Sequence, residues 1–259
     1  HQRRAGPGLA GRCGPLLATM KAPAHRQKGE TLAGLLVGMG LGMLVLAAGT
    51  QMLAHQMRGH RWQQQDSRVH HDVFVQIVKT LSEKGTKIFP ENYLELNEDL
   101  QIEILSKVSG NVAVSTFDDE MVVKTLGSIH AIKTIQENNG ERGANRYIIS
   151  NNQSALNVME TFAMFNLSGF NNHISVDIIP LFETIDDLTN ATSVMEKLYA
   201  NPVYKNHLKK RGNKQTIMLG FSDGTKDGGY LMANWAIYKA KEALTEISRK
   251  YNIKVIFFD

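Results

Sequence analysis

Val176-Asp-Ile-Ile-Pro-Leu-Phe-Glu183-Thr-Ile-Asp-Asp187 and Thr216-Ile-Met-Leu-Gly-Phe-Ser-Asp223-Gly-Thr-Lys226-Asp-Gly-Gly229 are built alike. Each is a short apolar run that stops at an acidic residue and hands over to a polar, helix-forming stretch. Apolar runs of this length, without alternation, fit strands covered on both faces of a parallel sheet. The rhythm extends on both sides: strand at 146–150, helix at 154–165, strand at 174–181, helix at 186–199, strand at 215–221, helix at 230–251 and strand at 254–258.

Strands alternating with long amphipathic helices predict an α/β fold with right-handed crossovers. The expected architecture is part of a (β/α)8 barrel of the TIM type, with added helices, preceded by a single long apolar helix. Chemistry in such sheets gathers at the carboxyl ends of the strands. Those ends carry Ser150-Asn-Asn-Gln153, Glu183, Ser222-Asp223 and Asp259. Glu183 and Asp223 therefore meet at one rim as candidate ligands of a hard cation. Mg²⁺ or Mn²⁺ suits two carboxylates whose remaining shell is water and substrate oxygens. Strand-end acids also serve in turns and ion pairs, so the residue types alone leave both roles open. Lys226, three residues after Asp223, is the candidate cation for an anionic substrate. Asp186 or Asp187 is expected to cap the helix after Glu183, and Gly224, Gly228 and Gly229 to permit unusual backbone angles in a loop.

Ahead of this region, Asn97 or Asp99 opens a helix to Val108. Asp118 opens another, whose apolar positions Val122, Leu126, Ile129 and Ile132 recur at helical spacing and which Asn138-Asn-Gly140 ends. The chain of 259 residues is 42% hydrophobic and 21% charged, ordinary for a globular protein. Its net charge of +4 belongs to the front: residues 1–72 hold nine Lys/Arg against three Asp/Glu, leaving twenty against twenty-two behind them. No basic residues interleave with aromatics, so no nucleic-acid partner is expected. One cysteine, Cys13, excludes an internal disulfide framework. The basic run Lys209–Lys214 is expected to be a solvated loop, and His70 and His71, adjacent in a helix-like run and so pointing apart, to be solvated polar residues.

Residues 31–54 are 24 consecutive uncharged positions, enough to cross a bilayer as a helix. Gly34, Gly38 and Gly42 repeat at a spacing that lets membrane helices approach closely. With the basic stretch Met20–Lys28 and Gly29 before it, the segment 20–72 resembles the prepilin-type leader of type IV pilins, although Gly34 stands where that family has a glutamate. The expected organisation is an extension at 1–19, this leader and apolar helix at 20–72, a helical region at 73–145 and the barrel fragment at 146–259.

A second resemblance covers the body of the chain. Tyr147-Ile-Ile-Ser150, Pro180-Leu-Phe-Glu183-Thr-Ile-Asp-Asp-Leu188, Met218-Leu-Gly-Phe-Ser-Asp223-Gly-Thr-Lys226-Asp-Gly and Trp235-Ala-Ile-Tyr-Lys-Ala-Lys-Glu242 resemble the phosphoenolpyruvate carboxylase family, strongly over 140–259 and more weakly from Val73. The resemblance implies Glu183 and Asp223 as ligands of Mg²⁺ or Mn²⁺ and Lys226 at the substrate end. It also implies phosphoenolpyruvate and bicarbonate as substrates, oxaloacetate and phosphate as products, a homo-oligomer and a cytoplasmic location, whereas the apolar helix would imply insertion in the inner membrane. The chain stops at Phe257-Phe-Asp259, before the family's Gly-Arg-Gly-Gly loop. A composite or truncated reading frame, without carboxylase turnover on its own, is therefore expected. Two other readings stand beside it: a membrane-anchored pilus-assembly protein, and another metal-dependent barrel enzyme acting on phosphoenolpyruvate or a keto acid.

Overall fold

The computed structural model describes Met43, residues 69–171 and residues 173–258. The chain divides into one unit of residues 1–57 and another of residues 58–259. Met43, in the first, is helical and exposed. The expected leader and apolar helix otherwise lie outside the described residues, save that a helix begins at Val69 and runs through the 72/73 junction. Among the described residues no helix is long and apolar enough to cross a membrane.

Among the described residues from Val69 on, three α-helices come first: α1 (Val69–Glu83), α2 (Glu98–Lys107) and α3 (Glu120–Asn139). Asn97 caps α2 by accepting from the Leu100 amide at 3.0 Å. Asp119, one residue later than the sequence suggested, caps α3 through the amides of Met121 and Val122. These bonds satisfy donors that a helix start otherwise leaves orphaned. Val122, Leu126, Ile129 and Ile132 are buried, as their spacing predicts, and Gly140 ends α3 with φ 75°.

The α/β part follows: β1 (Arg146–Ile149), α4 (Ala155–Leu167), β2 (Asp177–Phe182), α5 (Ile185–Ala200), α6 (Pro202–Lys210), β3 (Lys214–Leu219), α7 (Phe221–Gly228), α8 (Tyr230–Lys250) and β4 (Lys254–Phe258). The strands form one parallel sheet in the order β1-β2-β3-β4. Arg146–Ile149 pair with Asp177–Pro180, Leu181–Phe182 with Met218–Leu219, and Lys214–Met218 with Lys254–Phe258. The inner strands β2 and β3 are almost wholly buried, whereas the edges β1 and β4 expose alternate residues. That difference is why the tracts ending at Glu183 and Asp223 read as continuous apolar runs. Every residue of α4 except Asn157 is buried, because the helix is enclosed by α1 and α2 as well as by the sheet.

Three expectations need correction. The basic run Lys209–Lys214 is not a solvated loop: Lys209 and Lys210 close α6, and Arg211 is largely buried, bonding Asp177 and Glu141 at 2.6 Å each. Two carboxylates supply what its guanidinium loses on leaving water. His71 is likewise partnered rather than merely solvated, with Nδ1 2.8 Å from Oε1 of the buried Glu160, while Nδ1 of His70 is buried. Finally, Phe221–Gly228 is a helix and not a loop.

Candidate active site

Glu183 directly follows β2, and Asp223 lies in the first turn of α7, one residue of linker beyond β3. Register places the ends of β2 and β3 side by side, since Phe182 pairs with Leu219. The two carboxylates thus stand at the carboxyl edge of neighbouring inner strands. Burial, and then the like charges of Asp223 and Asp187, hold the Glu183 carboxyl above its ordinary range; the Asn151 backbone N–H and the Lys226 charge work against that rise. Glu183, Asp223 and Lys226 are therefore within electrostatic reach of one another. Lys226 Nζ donates to Asp223 Oδ1 at 2.8 Å, across one turn of α7. About half of the lysine side chain and a third of the aspartate remain exposed, so the pair faces solvent.

The glycines of this tract act through contact more than through unusual angles. A Cβ on Gly220 would lie 3.0 Å from the Cα of Glu183, and one on Gly228 would lie 2.8 Å from Cγ1 of Ile185. On Gly224 it would meet the Glu183 carbonyl oxygen at 3.4 Å. These positions recur every four residues, so α7 turns a bare face to the β2–α5 junction; of the tract's glycines, Gly229 has positive φ, 79°. Asp227 completes the docking by accepting from the Ile185 amide at 3.0 Å. The cap of α5 is Thr184 rather than Asp186: its side chain accepts from the Asp187 amide while Asp187 accepts from the Thr184 amide. Asp259 lies outside the described residues.

Sequence reasoning missed Asn151, Gly220 and Asp227. The four-residue repeat of Gly220, Gly224 and Gly228 was the signal for a close-packed helix; the contacts of Asn151 and Asp227 join distant segments and left none.

The donor set fits a hard divalent cation. Glu183 and Asp223 offer carboxylate oxygens whose mutual repulsion a cation would relieve. Water and substrate oxygens would complete such a shell, the arrangement Mg²⁺ and Mn²⁺ favour.

Comparison with known proteins gives a coherent picture. Residues 60–259 match the family model described as phosphoenolpyruvate carboxylase. The phosphoenolpyruvate carboxylase of Nitrosomonas europaea is 33% identical over 202 residues, which cover 74% of this chain and 22% of that one. That of Mycobacterium leprae is 34% identical over 204 residues, 75% of this chain and 21% of the relative. A shorter match to the Corynebacterium efficiens protein reaches 46% over 101 residues, 39% and 11% of the two chains. This chain spans about a fifth of the length of the curated relatives it matches along most of its own.

Proposed function

This chain belongs to the phosphoenolpyruvate carboxylase family, and from that premise we propose that residues 146–259 are the part of such an enzyme that holds its divalent cation. Glu183 and Asp223 are the carboxylate ligands and Lys226 the cation at the substrate end, with residues 73–145 a helical region behind them. The proposed reaction joins phosphoenolpyruvate to bicarbonate, giving oxaloacetate and phosphate, in a cytoplasmic homo-oligomer. The observation that carries this reading is the clustering of Glu183, Asp223 and Lys226 at the carboxyl edge of the two inner strands. Strand order that follows chain order, with crossovers of one hand, sets all crossover helices on one face. This supports reading the sheet as an arc of a (β/α)8 barrel, whose rim is the usual place for such chemistry.

The residues divide the work by charge. Bound Mg²⁺ or Mn²⁺ supplies electrostatic stabilisation of negative charge on substrate oxygens. Lys226 presents a compact, strongly donating charge suited to phosphate, carboxylate or bicarbonate, and Asp223 keeps it at the rim. The Glu183 backbone lies close against Gly220, and its carboxylate accepts from the Asn151 backbone N–H. Such preorganisation places charge before the substrate arrives.

Titration of the full chain with Mn²⁺, followed by the electron paramagnetic resonance of the free ion, tests the assignment. Glu183→Gln and Asp223→Ala should each weaken binding by about tenfold or more, the loss expected when a charged hydrogen-bonding group is removed. Undiminished binding in both variants would overturn it.

The 24 uncharged positions of residues 31–54 favour a second reading for the front of the chain, a membrane-inserted helix behind a prepilin-like leader. Retention of the expressed chain in carbonate-washed inner membranes would support it, and full release into the supernatant would exclude it.

A further inference from the structure

Asn151 has a left-handed backbone, φ 46°, immediately beyond β1. Asn171, Asn213 and Asn252 share that conformation, but they lie in the connections that follow α4, α6 and α8, the last two just past a helix end, where a left-handed residue is a common helix stop. Asn151 follows a strand, and no helix ending explains it. The turn around it is fixed from both sides. The Asn152 amide donates to the Leu181 carbonyl at 2.9 Å, tying the turn to β2 two residues before Glu183. The amides of Gln153 and Ser154 both donate to Asn157 Oδ1 at 3.2 Å, tying it to the first turn of α4. Between these anchors the backbone N–H of Asn151 bonds the Glu183 carboxylate. The Asn151 side chain, by contrast, accepts a long bond of 3.5 Å from Gln153.

We infer that Asn151 is a positioning residue for Glu183: its left-handed backbone aims the main-chain N–H at the carboxylate and fixes the direction in which that carboxylate faces a cation. The inference rests on Glu183 being a ligand and goes beyond it by assigning the ligand's orientation to the turn after the neighbouring strand. Asparagine suits the place because it tolerates this region of backbone space better than other residues with a side chain. Gly220, just beyond β3, lets that strand end approach the backbone of Glu183 closely. The Glu183 backbone is thus closely packed from the β3 side, while the donor that orients its carboxylate comes from the β1 side.

The backbone role predicts an order of Mn²⁺ affinity that a side-chain role does not. Asn151→Gly keeps both the N–H and the left-handed turn, so the full chain should bind Mn²⁺ within about twofold of wild type; Asn151→Val should bind about fivefold or more weakly, because a β-branched residue resists that turn. Asn151→Ala, a milder change that threatens folding less, should fall between them. Circular dichroism and the melting temperature of each variant separate lost orientation from lost fold. If glycine weakens binding as much as valine and alanine do, the side chain matters and the inference fails. It fails equally if folded Ala and Val variants bind as wild type does while Glu183→Gln does not. If Glu183→Gln itself binds normally, the ligand assignment has failed instead, and the inference falls with it.

Discussion

Replacing Gly220 with alanine probes the contact that joins fold and site. At φ −76° and ψ 97° the position lies where alanine is comfortable, so the backbone itself raises no objection. By narrowing the unfolded ensemble, the substitution would stabilise by about 0.4–1 kcal/mol if the methyl had room. It has none: the new Cβ would stand 3.0 Å from the Cα of Glu183, 3.3 Å from its Cγ and 3.3 Å from the Phe182 carbonyl oxygen. Carbon atoms rest comfortably about 3.5–4.0 Å apart, so the strand ends must separate by a few tenths of an ångström. They resist, because the Gly220 amide donates to the Phe182 carbonyl at 2.7 Å, directly across the contact. Overpacking of this kind costs about 1–3 kcal/mol. Set against the entropic gain, a net loss of about 1–2 kcal/mol follows, or about 2–8 °C in melting temperature for a unit of this size. Thermal unfolding by circular dichroism reads the first consequence, and Mn²⁺ titration reads the second, since the displaced atoms carry Glu183. A variant that melts at or above wild type would show that the contact yields freely, and the account of α7 as a close-packed face would be wrong.

Two further outcomes follow from features away from the rim. Gly127, inside α3, would meet nothing within 4 Å on gaining a methyl, so Gly127→Ala should raise stability by about 0.5–1 kcal/mol in urea unfolding; a loss would contradict that open space. The Glu160–His71 pair should make stability fall as pH rises: its hydrogen bond to Glu160 raises the His71 value above 6.5, so that contribution is complete below 6.5 and disappears above it, while burial raises the Glu160 carboxyl above 4.5 and makes its ionisation oppose folding in the same sense. Glu160→Gln removes both effects, and its melting temperature should decline less than wild type between pH 6 and pH 8; parallel declines would refute the linkage.

Where the sequence was legible, periodicity and burial agreed. The inner strands lose both faces to packing, so their apolar runs stand out, and the helix starts carry polar caps that local hydrogen bonding requires. Thr184 took the cap from Asp186 because a hydroxyl one residue before the helix reaches its third amide, geometry a count of acids does not weigh. α6 was missed because its three lysines match its buried Tyr204, His207 and Leu208 in number, leaving the apolar face thin. α7 was missed because propensity counts glycine against a helix, whereas here the absent side chains are what allow docking on Ile185 and Glu183. At the site, the three charged residues were legible from their places after the strands. The bond from Asn151 to Glu183 and that of Arg211 to Asp177 and Glu141 were not, because each joins segments that only the folded chain brings together.

The enclosure of α4 has a consequence for how such a chain is made. A helix buried on nearly every side offers water almost no face of its own, and its covers come from both directions along the chain. α1 and α2 leave the ribosome before it, but β2, α5 and α6 follow it, and α6, whose Tyr204 and His207 rings meet Phe162, ends only at Lys210. At about 5–20 residues per second, the apolar segment waits about 2–9 s for the rest of its enclosure to be synthesised. During that interval it is a natural client for a holding chaperone, and slowing translation after residue 167 should lengthen its capture in proportion.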